Sequence, residues 1–72
     1  MSAPPLPDRL VARRAFHAAR VFHEEFPEDS PTEEWLHASA DLDGIPQGQW
    51  EDYCCAVQLA VRNLNASARD ER

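Results

Sequence analysis

The stretch Trp50–Ala68 constrains the fold more than any other part of the chain. Trp50, Tyr53, Cys54, Val57, Ala60, Val61, Leu64 and Ala68 follow the three- and four-residue spacing of one α-helix face. At roughly 100° per residue they fall within an arc of about 120°. Glu51, Asp52, Gln58, Arg62, Asn63 and Arg69 occupy the other side. A helix this long and this one-sided needs other elements to cover its stripe. The chain has 72 residues in which to supply them, close to the lower limit for a domain that folds alone.

Two more helices are predicted ahead of it. Asp8 to Phe26 shows an apolar face of Val11, Ala12, Ala15, Ala18, Ala19, Phe22 and Phe26. Phe16 flanks that face on one side, Leu10 and Val21 on the other. Arg9, Arg13 and Arg20 share the opposite side, and Pro27 ends the helix. Ser30-Pro31-Thr32-Glu33 has the pattern of a capping box with proline at the first helical position. The second helix therefore spans about 31–42. Trp35, Ala38, Ser39 and Leu42 form its expected buried face, with Leu36 and Ala40 on a neighbouring one. Asp43-Gly44-Ile45-Pro46 closes it, because glycine accepts the left-handed cap and proline cannot continue a helix. The third helix then runs over about 47–68.

No stretch alternates as a strand does. Pro4-Pro5-Leu6-Pro7 favours an extended arm and resembles ligands of one class of WW domain; its simpler reading is a terminus whose last proline starts a helix. The expected organisation is an all-α three-helix bundle over residues 8–72, preceded by a Pro-rich arm over 1–7, with Phe16, Phe22, Phe26, Trp35, Trp50 and Tyr53 supplying a mixed aromatic core. No secretory signal or membrane-length apolar run is visible, so the expected compartment is the cytoplasm with both thiols reduced.

Charge is distributed unevenly. The formal net charge is −6, and every basic residue is arginine. With the many alanines, this bias suggests a GC-rich coding sequence and a bacterial or phage origin. Glu24, Glu25, Glu28, Asp29, Glu33, Glu34, Asp41, Asp43, Glu51 and Asp52 fall between residues 24 and 52, a span without a single arginine. Such a run can be a solvated surface or can steer a basic partner to the chain.

Other chemistries find less support. Helix two, a glycine turn and helix three have the rhythm of a helix-turn-helix, but the second helix would open on Gln47-Gly48-Gln49-Trp50-Glu51-Asp52. Duplex affinity comes chiefly from Lys and Arg on phosphates. His17, His23, His37, Cys54 and Cys55 lack the paired spacings of a zinc site, so no metal or cofactor is expected. Adjacent Cys54 and Cys55 diverge on a helix and do not pair. Cys55 with His37 or His23 could make a dyad, but acidic Glu51 and Asp52 precede the thiol, and two glycines do not build a phosphate loop. Catalysis is not expected.

One stripe remains. Cys55, Leu59 and Ala66 lie about 180° from the main apolar face of helix three. Either another helix wraps far enough to cover them, or they form a contact surface for a second copy or another protein. The function expected is a small acidic, non-catalytic protein–protein interaction module, a regulator or inhibitor. Its partner-binding residues would be Cys55, Leu59 and Arg62 together with Glu28, Asp29, Glu33, Glu34, Asp41, Asp43, Glu51 and Asp52. The alternative is a helix-turn-helix-type DNA-binding transcriptional regulator using the Arg9, Arg13, Arg20 face.

Overall fold

The computed structural model describes residues 4–70, the last two by their backbone alone. Residues 1–3 of the arm, and Arg72 at the other end, lie outside the described residues. Three α-helices follow one another: α1 Asp8–Glu25, α2 Glu33–Leu42 and α3 Trp50–Asp70, the last preceded by one 3-10 turn at Gln47–Gln49. There is no strand among the described residues. Among the described residues no helix is long and apolar enough to cross a membrane.

Hydrogen bonds fix how the helices run. Leu6 pairs with Gln49 and His23 with Asn65, separations of 43 and 42 residues. α1 and α3 therefore run parallel in nearly constant register. Trp35 packs edge-on against Phe22, their ring centroids 4.9 Å apart, while Arg14 donates to the Asp43 carbonyl. α2 thus returns antiparallel to α1.

Each terminus has a local cause. The Pro7 carbonyl accepts from the N–H groups of Leu10 and Val11, opening α1, and Asp8 complements the helix dipole. Leu6 is tied down by the Gln49 side chain: its N–H donates to Oε1 at 2.9 Å and its carbonyl accepts from Nε2 at 2.8 Å. After α1, the Asp29 N–H bonds the Phe26 carbonyl across Pro27 and Glu28, with Glu28 at φ +70°. Proline followed by a left-handed residue is the pattern of a type II turn.

The start of α2 differs from the sequence expectation. Thr32, not Ser30, is its N-cap, and the Thr32 hydroxyl accepts from the Trp35 N–H at 3.1 Å. With Thr32 as cap, buried Pro31 and Leu36 fall at N′ and N4, the positions of a hydrophobic staple. Capping at Ser30 would wind Pro31 into the helix and break that pairing. The end of α2 matches the expectation. Gly44 adopts φ +70°, its N–H bonds the Asp41 carbonyl, and the Ile45 N–H reaches back to Ala40. These are the two bonds of a Schellman cap, with buried Ala40 and Ile45 at the positions of its apolar contact.

The core joins Val11, Ala15, Ala18, Ala19 and Phe22 of α1, Leu36 and Ala40 of α2, Ile45, and Tyr53, Val57 and Val61 of α3. Alanines on α1 let the larger α3 side chains approach closely, so most of the expected α3 stripe is covered, although Ala68 at its far end is exposed. The expected buried face of α2 is not. Leu36 and Ala40 go inward, whereas Ala38 is exposed and Leu42 is 87 % exposed. The caps set this rotation: the staple and the Schellman contact both point at residues 36 and 40, and residues 38 and 42 lie about 140–180° away. Trp35 and Ser39 stay at the margin, half-buried. On α1, Ala12 is exposed, Phe16 is 51 % exposed and Phe26 43 % exposed, so neither phenylalanine is a core aromatic.

Candidate interaction surfaces

Cys55, Leu59, Arg62 and Ala66 project from the outer side of α3, and all four are exposed. Leu59 is 59 % exposed. Neither α1 nor α2 reaches round to cover the stripe. The constant register of α1 and α3 sets Phe16 at the height of Leu59, 43 residues on. Ala12 and half-buried Ala56, each one turn below, line a shallow cleft of about 300 Å³ between the two helices. The apolar surface on α3 is thereby flanked by a phenylalanine from α1.

The acidic residues do not form one belt. Glu33 and Glu51 line a cleft of about 390 Å³ with His37 and Cys55. Glu28 shares a second cleft, about 420 Å³, with Pro31, Arg62 and Ala66. Asp52 stands in the α1–α3 cleft near Ala56. These positions surround the outer face of α3. Glu34 and Asp41 are exposed on α2, each rotated about 120–140° from the core-facing line of Leu36 and Ala40. Asp29 is exposed, and its carbonyl accepts from Asn65 Nδ2 at 3.2 Å, fastening the turn to α3.

Asp43 is committed inside the fold. Its carboxylate accepts the Tyr53 hydroxyl proton at 2.7 Å, so Ser39 Oγ, also 2.7 Å from that hydroxyl, is the donor of its own bond. Burial, with the Asp43 charge adding to it, pushes the Tyr53 phenol well above its ordinary range. Tyr53 therefore stays neutral and keeps donating.

The thiols differ. Cys55 is exposed; Cys54 is half-buried. Burial raises the Cys54 thiol, followed by neighbouring Cys55 and Glu33, so it resists becoming the thiolate that nucleophilic chemistry requires. His37 stacks on Trp50 with ring centroids 5.3 Å apart and sits 3.8 Å from Glu33. Among the described residues no three His, Cys, Asp or Glu side chains gather as a metal site.

A further surface was hidden from sequence reasoning. Val21 and His17 on α1 face Trp35, Ala38 and Leu42 on α2 across a groove of about 280 Å³. The periodicity of the α2 residues predicts a buried face; the structure turns Ala38 and Leu42 to solvent and leaves Trp35 half-buried against the core. Comparison of the chain with protein-family models, with curated proteins and with solved structures finds no match.

Proposed function

We propose that this protein is a non-catalytic interaction module, a regulator or inhibitor of bacterial or phage origin, acting in the cytoplasm by docking a partner with a basic surface. The observation that carries the reading is the exposed outer face of α3, where Leu59 stands among Cys55, Arg62 and Ala66. Glu33 and Glu51 border it on one flank and Asp52 on the other, so an apolar anchor has negative charge on both sides of its N-terminal half. A central apolar contact supplies affinity, and the charged rim supplies orientation and encounter rate.

A helical peptide alternating leucine and lysine faces is the probe. Titrated against the protein with tryptophan fluorescence as readout, it is expected to bind more weakly as salt rises. Leu59→Asp is expected to abolish binding while the helical circular dichroism is kept. Salt-insensitive binding, or binding that survives Leu59→Asp, would overturn the reading. Low-salt filter binding to duplex DNA tests the other class: Arg9, Arg13 and Arg20 are all exposed on α1, and retention lost on their replacement would identify a DNA-binding protein instead.

A further inference from the structure

We infer that the groove between α1 and α2 is a self-association surface, closed by a second copy of this chain related by a two-fold axis along the groove. It is separate from the outer face of α3 and rests on no part of the functional reading above. Leu42 is 87 % exposed and Val21 40 % exposed, with exposed Ala38 between their heights and half-buried Trp35 beneath them. On α2 these apolar positions keep the spacing of a buried stripe, yet nothing in the described chain covers them. Chains this small often complete their core with a partner.

The charges at the groove's margins say which partner. Beyond Val21 and His17, the next positions around α1 are Glu24, Arg13 and Arg20, all exposed; beyond Ala38 and Leu42, the next around α2 are Glu34 and Asp41, both exposed. The α1 margin carries two arginines and one glutamate and the α2 margin two acids, so the face complements itself in net charge. A uniformly acidic or basic groove would instead require a foreign partner of opposite sign.

Heights along the helices agree with this. Trp35 is level with Phe22 and Asp43 with Arg14, which puts Glu34 near the height of His23 and Asp41 near that of Phe16. Rotation about an axis along the groove lays α1 of one copy over α2 of the other without changing heights. Arg20 then falls between Glu34 and Asp41 of the second copy, about 5–6 Å along the axis from each, and Arg13 falls about 5 Å below Asp41. Both copies gain these pairings, and the opposing contact is Glu24, which falls about 1.5 Å in height from Glu34 of the second copy. An axis across the groove would instead stack α2 on α2 and set Glu34 and Asp41 against the same acids of the second copy. α2 is about 15 Å long, so the covered face is small and belongs to the reversible class of interfaces.

The test is solution mass by light scattering and sedimentation from micromolar concentrations to about 1 mM, the range that brackets such affinities. The wild-type chain is expected to move from 8.2 kDa towards twice that mass as concentration rises. Leu42→Asp is expected to hold it at monomer mass with unchanged circular dichroism, while Leu59→Asp leaves the rise intact. The paired reversal Arg13→Glu and Arg20→Glu should dissociate the dimer, and adding Glu34→Arg and Asp41→Arg should restore it. A wild-type chain that stays monomeric, a dimer lost in Leu59→Asp, or a charge reversal without rescue would each overturn the inference. Peptide binding at α3 is read separately on Leu42→Asp, so the two conclusions fail independently.

Discussion

Tyr53 shows how one buried polar atom organises its surroundings. Its ring is fully buried, and its hydroxyl joins Ser39 on α2 to Asp43 in the cap that follows. Tyr53→Phe keeps the packing but leaves a half-buried carboxylate and hydroxyl without their partner, at a cost of about 1–3 kcal/mol measured by urea denaturation. The pH dependence has a definite sign. The folded phenol titrates above the unfolded one, so its contribution is complete below the ordinary tyrosine value of about 10 and is lost as pH climbs beyond it. Between about pH 10 and 11.5, wild-type stability should fall by at most about 1.4 kcal/mol per pH unit from this residue. Tyr53→Phe should lack that component; an identical alkaline slope in both proteins would show that Tyr53 does not titrate this way. The periodicity placed Tyr53 in the core, but its partners were hidden, because a hydroxyl's bonds depend on how α2 is rotated and Asp43 read as one acid among ten.

At the scale of elements, α2 separates what local sequence decides from what packing decides. Its C-terminus was legible: Asp43-Gly44-Ile45-Pro46 can close a helix in few ways, and Gly44 takes the left-handed cap as expected. Its N-terminus offered two hydroxyl caps two residues apart, Ser30 and Thr32, each locally competent. The choice falls to Thr32 because Pro31 is buried ahead of the helix, a tertiary fact no capping pattern contains. Thr32→Ala is expected to lower stability by about 1 kcal/mol, the usual value of an N-cap. Ser30→Ala, at an exposed position without a capping role, should stay within about 0.5 kcal/mol of wild type. Equal losses in the two variants, measured by thermal denaturation, would return the cap to Ser30. The same ambiguity misplaced the buried face. Trp35, Ala38 and Leu42 make as good a stripe as Leu36 and Ala40, and only the caps and the small size of α2 decide between them. α3 was read correctly over most of its length because one stripe there greatly exceeds its rival, and the rival, Cys55 to Ala66, is the surface proposed for docking.

For the whole molecule, the distribution of charge sets fold and binding against each other. The net charge is −6, and much of it collects where the end of α1 meets the start of α2. Glu24 and Glu25 sit in the last turn of α1, facing the negative end of its dipole, and Asp29, Glu33 and Glu34 follow within a few residues, all exposed. Among the described residues only His23 supplies a basic group in that last turn. Repulsion between exposed carboxylates is screened over about 10 Å at 0.1 M salt and over about 3 Å at 1 M. Raising sodium chloride from about 10 mM to 0.5 M should therefore stabilise the fold while it weakens the proposed docking of a basic partner. Glu24→Gln with Glu25→Gln removes two of these charges from the unfavourable end of α1, and each contributes about 0.3–1 kcal/mol. The pair should raise Tm by several degrees at low salt, since 1 kcal/mol corresponds to about 4–8 °C in a domain this size. Its gain should shrink at 0.5 M salt. A Tm indifferent to salt, or a double variant no more stable than wild type at 10 mM, would mean that the acidic residues are far enough apart for water to neutralise them without cost. In that case the acidic crowding at the α1–α2 junction would owe nothing to a compromise with stability. If the expected shifts appear, the chain keeps this crowding at a measurable loss of stability, and selection for a basic partner is the pressure that could maintain it.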